Sequence, residues 1–438
     1  MMSAEQNERL TRVSSGTPCG NLMRQYWHPA ALSEELASER PVVPVRLLGQ
    51  NLVLFRDDKG RLGLIDRDCP HRGADLAFGR LEDGGLRCVF HGWLFDVTGQ
   101  CIEMPAEPAS SRFCELMRQK SYPVQERNGI VFAYLGEGEP PAVPALDCFA
   151  APDAYTFAFK GLWECNWLQA LEVGLDPAHA SYLHRFFEDE KPEAGYGLQF
   201  RDRSSGSDLT MIQVLREHAR PVIEPEKTDF GMRIVTTREI SADDMHVRVT
   251  NCIFPHAINL PLSTDMVLTQ FHVPIDDANT YWYSMFTSFS HQVDKALMRE
   301  QRIGVIEPPL YKSKFNKSND YGFNAREQAT RTYTGMGEDI NVHDQFAVES
   351  LGPIQNRMRE HLGQSDRAII AYRRMLTAAI ADVEAGRPGP MRPDLTEAAR
   401  ISGPSTIDTV APRASWQTHW PAAYRMIRDA AQWAKSAA

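Results

Sequence analysis

The stretch from Cys69 to Trp93 constrains this chain more than any other. Cys-Pro-His-Arg-Gly at Cys69–Gly73 and Cys-Val-Phe-His-Gly-Trp at Cys88–Trp93 supply four metal-ligating side chains as two pairs, Cys69 with His71 and Cys88 with His91, with sixteen residues between the pairs. Each pair fits on one tight loop, and the intervening segment is long enough for a hairpin that turns the loops face to face. Thiolate and imidazole donors suit zinc or an iron–sulfur cluster, and spacing alone leaves both open. Gly73 and Gly92 stand just beyond a ligand in each loop, where the backbone must fold back and direct N–H groups toward whatever is bound.

A chain of 438 residues exceeds one ordinary core, so two or three domains are expected. The net charge of −10 argues against non-specific nucleic-acid binding and leaves a small molecule or another protein as partner. No run of about 20 apolar residues occurs, so no membrane-spanning helix is expected. The polar Met1–Val13 segment lacks an apolar signal core, which predicts a cytoplasmic protein. Cys19, Cys101, Cys114, Cys148, Cys165 and Cys252 follow no regular spacing and read as reduced thiols. With neither a Gly-x-Gly-x-x-Gly fingerprint nor a phosphate-cradling loop, the chain is not expected to bind a dinucleotide.

Within Asn21–Glu35, the aromatic-rich stretch Arg24–Pro29 ends a short helix at the proline, and His28, with no partner at ligand spacing, reads as a packing or interface residue. From Val42 the period becomes that of strands, at Val43–Leu48, Asn51–Phe55, Leu62–Ile65, Leu94–Val97 and Gly129–Leu135, separated by Gly and Asp/Asn turns. Gly136–Pro144 is a Gly/Pro-rich charged break. Beyond it, Leu162–Glu172 has helical spacing, while Asp208–Leu215, Gly231–Glu239, Met245–Cys252, Met266–Val273 and Thr280–Phe286 alternate like antiparallel strands. A helix capped by Ser365 or Asp366 carries Ile369, Ile370, Met375, Leu376, Ile380 and Val383 and closes at Gly386. The expected organisation is α+β: an N-terminal segment (1–41), an all-β domain (42–140), and a larger domain (141–438) in which helices flank an antiparallel sheet.

Inside that larger domain lies Glu172-x-x-x-Asp176-x-x-His179-x-x-x-x-His184. Histidines five apart lie about 140° apart around an ideal helix, so they share a metal only where the helix is distorted, as Pro177 allows. Taken alone, two core or surface histidines are the default reading of this pair.

The first two motifs together resemble the complete Rieske signature, Cys-x-His-Arg-Gly with Cys-x-x-His-Gly-Trp. The third resembles the second signature of the Rieske non-haem iron oxygenases, and within them the chain looks most like the phthalate dioxygenase branch of oxygenase (alpha) subunits. The resemblance implies a [2Fe–2S] cluster on Cys69, His71, Cys88 and His91, and a mononuclear Fe(II) on His179, His184 and a distant carboxylate. In the family that carboxylate sits in a segment like Asn341–Pro353, which selects Asp344 over Asp339 and Glu349; spacing does not decide among them. It further implies a terminal oxygenase that takes electrons from a separate flavin and iron–sulfur reductase and hydroxylates an aromatic carboxylate such as phthalate, isophthalate or a substituted benzoate, by cis-dihydroxylation. The alternatives are a monooxygenase that O-demethylates or hydroxylates an aromatic acid, and a non-catalytic Rieske electron carrier. Family members of this branch are homotrimers or stacked trimers, in which the residue matching Asp176 bridges a histidine like His179 to the cluster ligand matching His91 in the next subunit. For a carboxylate substrate, arginine is the natural anchor; of Arg203, Arg216, Arg233, Arg238 and Arg248, the expected pair is Arg203 and Arg238.

Overall fold

The strand Gln50–Arg56 shows how the first domain is built. It pairs antiparallel with Val42–Leu47 on one side and Leu62–Asp66 on the other. Period-2 alternation sends Leu52 and Leu54 into the main core, and Val53 and Phe55 into a smaller core beneath Cys69 and Cys88. A strand buried on both faces reads as a continuous apolar run, which is what Leu52–Phe55 is. The computed structural model describes residues 2–188, 204, 206–431 and 433–434.

A second antiparallel sheet, Arg80–Glu82, Gly85–Arg87, Leu94–Asp96 and Cys101–Glu103, closes the small core. The third sheet orders Trp27–Leu32, Ile130–Tyr134 and Val124–Arg127. In the last hairpin Asn128 and Gly129 both take positive φ, as a two-residue turn between twisted strands requires. The helix Pro18–Met23 stops short of Pro29, which instead sits at a bulge in the strand Trp27–Leu32. That strand is a sheet edge, where a residue without an N–H costs no ladder bond. The all-β unit therefore includes residues from the 1–41 segment. His28 is fully buried and donates Nε2–H to the Met23 carbonyl, as a packing residue would.

The second domain is built on a ten-stranded sheet. Val222–Thr228, Gly231–Glu239, Asp244–Ile253, Ala257–Pro261, Met266–Pro274 and Thr280–Ser288 follow one another as antiparallel neighbours, and Thr156–Trp163 pairs with the last of them. Two expectations change here. Leu162–Glu172 divides into the end of the strand Thr156–Trp163 and a helix, Trp167–Leu175, which starts where the Asn166 side chain accepts from Leu168 N–H. The expected strand Asp208–Leu215 is a helix, Met211–Glu217, started by the Thr210 hydroxyl, which accepts from Gln213 N–H. The helix Arg367–Glu384 follows Asp366 and ends before Gly386, whose φ is +75°, with Ile369, Tyr372, Leu376 and Ile380 buried at three- and four-residue spacing.

One core runs through both domains, joining Leu47, Leu52 and Leu64 to Trp163, Leu171 and Phe271. The junction also carries Lys160, buried among the rings of Tyr281, Tyr283 and Tyr311 and paired with Glu35 at 2.7 Å. An ammonium so enclosed is tolerable because a carboxylate and three ring faces replace its water. No described helix is long and apolar enough to cross a membrane.

Candidate cluster loops and metal centre

The two ligand loops repeat one backbone device. Cys69 N–H donates to the Ala74 carbonyl and Cys88 N–H to the Trp93 carbonyl, each at 2.8 Å. Gly73 N–H returns to the Cys69 carbonyl at 2.8 Å, and Gly92 N–H to the Cys88 carbonyl at 3.0 Å. Both turns need positive φ at the glycine, +75° and +76°. The loops bring thiol to thiol and imidazole to imidazole. Cys69 and Cys88 are buried and interact directly, and burial, with Cys88 adding to it, pushes the Cys69 thiol up to about 11. The His71 and His91 rings meet edge to face at 4.3 Å, and His71 stacks on buried Trp93 at 4.6 Å and 8°. His71 is exposed and His91 partly so.

This arrangement separates a sulfur pair, inside, from a nitrogen pair, outside. A tetrahedral zinc ion needs all four donors around one point. Among the described residues, the one group of three or more His, Cys, Asp or Glu ligand atoms within 4.8 Å of one another lies elsewhere. Two cysteines for one iron and two histidines for the other fit the loops as they stand.

The group that does converge is His179, His184 and Asp344. The helix Trp167–Leu175 stops at Asp176, whose Oδ1 accepts from Ala178 N–H at 2.8 Å. A short 3-10 turn, His179–Ser181, follows. This break after Pro177 brings histidines five apart together, with Nε2 atoms 3.2 Å from each other. Asp344, from the helix Ile340–Glu349, places Oδ1 3.2 Å from His184 Nε2 and 3.7 Å from His179 Nε2. That oxygen is buried and accepts no hydrogen bond. The two rival carboxylates have other work. Asp339 caps the helix by accepting from Asn341 N–H, and Glu349 accepts from Glu164 N–H, Gln345 and the Tyr321 hydroxyl.

Burial, reinforced by His184, holds His179 below the ordinary imidazole range. Burial raises the Asp344 carboxyl, but the imidazoles of His184, His179 and His343 outweigh it and hold the group below its usual range. Neutral imidazole and ionised carboxylate are the ligating forms, so the three donors fit a divalent iron with one face open.

Each histidine is held by its other nitrogen. His179 Nδ1 donates to the Asp176 backbone carbonyl, while the Asp176 carboxylate lies 3.9 Å away and partly exposed. His184 Nδ1 faces His343 Nδ1 at 3.4 Å, and His343 Nε2 donates to the Gly337 carbonyl at 2.9 Å. His343 escaped sequence reasoning, although its place beside Asp344 was a signal for it. Burial, with His184 adding to it, pushes His343 down to about 4.

A cavity of about 160 Å³ opens onto the three ligands, walled by Trp163, Val173, Ile212, Leu215, Leu260 and Leu268. Among the described residues its wall holds a single cation, Arg248. Arg248 Nη1 donates to Asp408 at 2.7 Å and to Met211 Sδ at 2.9 Å, and its Nη2 donates to the Pro261 carbonyl at 3.0 Å. Burial raises Asp408, but His246 and Arg248 outweigh it and keep the carboxyl strongly depressed. Arg238 does not reach the wall. It is fully buried, donates Nη2 to the Pro177 carbonyl at 3.0 Å and leaves Nε and Nη1 without partners. Arg203 lies outside the described residues.

Comparisons with known proteins agree with this geometry. Residues 26–123 match the Rieske [2Fe-2S] domain family, and residues 133–402 match the LigXa C-terminal domain like family. The phthalate 4,5-dioxygenase oxygenase subunit of Pseudomonas putida is 34% identical over 400 residues, covering 88% of each chain. The 3-chlorobenzoate-3,4-dioxygenase oxygenase subunit of Comamonas testosteroni is 30% identical over 440 residues, 95% of this chain and 98% of that one. Among solved structures, dicamba monooxygenase bound to dicamba shares the fold at a TM-score of 0.57 and 20% identity, covering 84% of this chain and 100% of that one. The chain belongs to the Rieske-type oxygenases, as an oxygenase subunit with a Rieske [2Fe–2S] domain followed by a LigXa-like catalytic domain.

Proposed function

We propose that this chain is the terminal component of a multi-protein system that hydroxylates an aromatic carboxylate by cis-dihydroxylation, with electrons from a separate flavin and iron–sulfur reductase. The observation that carries the reading is the cavity: apolar walls, three metal-ligand atoms at one side, and one arginine. An aromatic ring is stabilised by the walls. A carboxylate on that ring is recognised by Arg248, whose contacts with Asp408, Met211 and Pro261 engage three of its five N–H groups and leave two for a ligand. Arg238, by bonding Pro177 O, positions the Asp176–His179 turn.

His179, His184 and Asp344 would hold the mononuclear iron, which when bound supplies dioxygen activation. Cys69, Cys88, His71 and His91 would hold the cluster that feeds it electrons. A head-to-tail trimer places His91, beside exposed Val89 and Phe90, against the partly exposed Asp176 carboxylate of a neighbouring subunit. Asp176 then links His179 to the cluster of the next chain, and exposed Tyr182, Phe187 and Tyr333 offer apolar contact area nearby.

A panel of phthalate, isophthalate and substituted benzoates, assayed for oxygen uptake with reductase and followed by product analysis, tests the reading. At least one acid should stimulate uptake well above a neutral arene of the same shape and give a cis-dihydrodiol. Equal rates with hydrocarbons would reject the carboxylate anchor, and a phenol or dealkylated product would make the chain a monooxygenase with the same ligands.

A further inference from the structure

We infer that His343 is the positioning residue of the mononuclear iron site: its neutral imidazole accepts a hydrogen bond from His184 Nδ1–H and so fixes the tautomer in which His184 Nε2 is free to bind metal. This rests on His184 being an iron ligand and goes beyond it.

The tautomers follow from acceptor chemistry. The Gly337 carbonyl has lone pairs and no hydrogen, so the 2.9 Å contact makes His343 Nε2 the N–H. His343 is fully buried, and its two ring nitrogens meet His184 Nδ1 and the Gly337 carbonyl. A His184 that binds metal through Nε2 carries its hydrogen on Nδ1, and with the His343 hydrogen on Nε2 the facing His343 Nδ1 offers the lone pair. Two facing Nδ1 atoms at 3.4 Å then have one consistent assignment, with His184 donating and His343 accepting. The rings are nearly parallel, at 23°, with centroids 5.7 Å apart. That separation fits an edge-to-edge contact through the nitrogens and exceeds that of a face-to-face stack. His184 Nε2 is left as a lone pair aimed at Asp344 and His179.

The far end of the relay is braced. Gly337, at φ +77°, donates its own N–H to Glu327 Oε1 at 2.9 Å, and that oxygen also accepts from the Thr332 hydroxyl at 2.7 Å. The chain Glu327, Gly337, His343, His184 thus leads from a surface helix to the metal ligand. An imidazole in this place, unlike a carboxylate, orients His184 without adding a negative charge, so Asp344 remains the one anionic ligand.

The test separates shape from bonding. His343→Phe keeps a ring and loses both hydrogen bonds; His343→Asn places an amide oxygen where Nδ1 was; His343→Gln places an amide where Nε2 was. Fe(II) binding is measured anaerobically on cluster-loaded protein by equilibrium dialysis, with circular dichroism to compare folding. The Phe variant should bind Fe(II) about 10- to 100-fold more weakly, the usual cost of losing such a supporting bond, and the Asn variant should stay within about tenfold of wild type. If His343→Phe does not fold, Asn should still bind more tightly than Gln. Wild-type affinity in the Phe variant overturns the inference, and so does equal weakening in Asn and Gln. His184→Ala is the control: if it too binds Fe(II) normally, the ligand assignment itself has failed, whereas normal binding in the His343 variants alone sinks only the role of His343.

Discussion

Replacing Glu172 should unseat the metal centre without touching a ligand. Its carboxylate is buried on the site helix, one turn before Asp176, and bonds Arg357 at 2.8 Å and Arg373 at 2.5 and 2.9 Å. Arg373 has a second partner in Glu360, but Arg357 is fully buried and, among the described residues, otherwise bonds Asn7 of the helix Ala4–Thr11. Glu172→Ala therefore leaves an uncompensated buried guanidinium, which costs about 3–5 kcal/mol. Glu172→Gln keeps an acceptor and should cost less, about 1–3 kcal/mol. Burial raises Glu172, yet Arg357 and Arg373 outweigh it and hold it below its ordinary value of 4.5. A group depressed in the folded state contributes stability that is fully present above the unfolded value and lost as pH falls through the folded one. The gap between wild type and Glu172→Gln should thus be flat at neutral pH and close as the medium is acidified below 4.5. Urea unfolding followed by tryptophan fluorescence reads the cost, and iron analysis reads the loss of mononuclear iron with the cluster spectrum retained. A midpoint for Glu172→Ala within about 0.5 kcal/mol of wild type, the ordinary surface range, would refute the reasoning.

Loaded protein should be red-brown and hold about three irons and two acid-labile sulfides per chain; stoichiometric zinc without visible absorption would contradict both sites. His91→Ala should lose the cluster spectrum, whereas His179→Ala, His184→Ala and Asp344→Ala should keep it while losing the third iron; normal iron in Asp344→Ala would return the choice to Asp339 or Glu349. Arg248→Leu should raise KM for an aromatic acid by about 10- to 100-fold, from the ~1.5–3 kcal/mol of a charge-assisted bond, and leave a neutral arene unaffected. Asp176→Asn should retain colour and iron yet stop electron passage, so that a reduced cluster fails to reoxidise with substrate and dioxygen present; normal single-turnover reoxidation, or an active monomer by ultracentrifugation, would exclude the bridge.

What the sequence disclosed follows the range of the interactions involved. Each ligand loop is local, one turn closed by its own glycine, so Cys69–Gly73 and Cys88–Gly92 announce themselves by residue type and spacing. His179 and His184 come together because of a helix break, and Pro177 marked the break, although nothing local tells a distorted histidine pair from a surface one. Asp344 arrives on another helix, and only resemblance chose it; in the fold it is the carboxylate that converges with the two histidines, while Asp339 caps its helix and Glu349 accepts from three donors. The segment Asp208–Leu215 alternates well enough for a strand, but the Thr210 cap, the burial of Val214 and the placing of Ile212 and Leu215 against the cavity favour a helix, a tertiary preference that overrides a weak local one. The arginines show the limit most clearly. In the sheet Thr236 lies opposite Arg248 and Arg238 opposite His246, so the two arginines project from the same face, only two residues or about 7 Å apart along the strands. Their residue types are identical and their strand patterns equivalent. Which guanidinium meets the cavity and which braces the Pro177 turn depends on what lies beside each, Met211 of the helix Met211–Glu217 and Asp408 of the paired strand Ile407–Pro412 for Arg248 and the Pro177 carbonyl for Arg238, and that is a property of the assembled sheet.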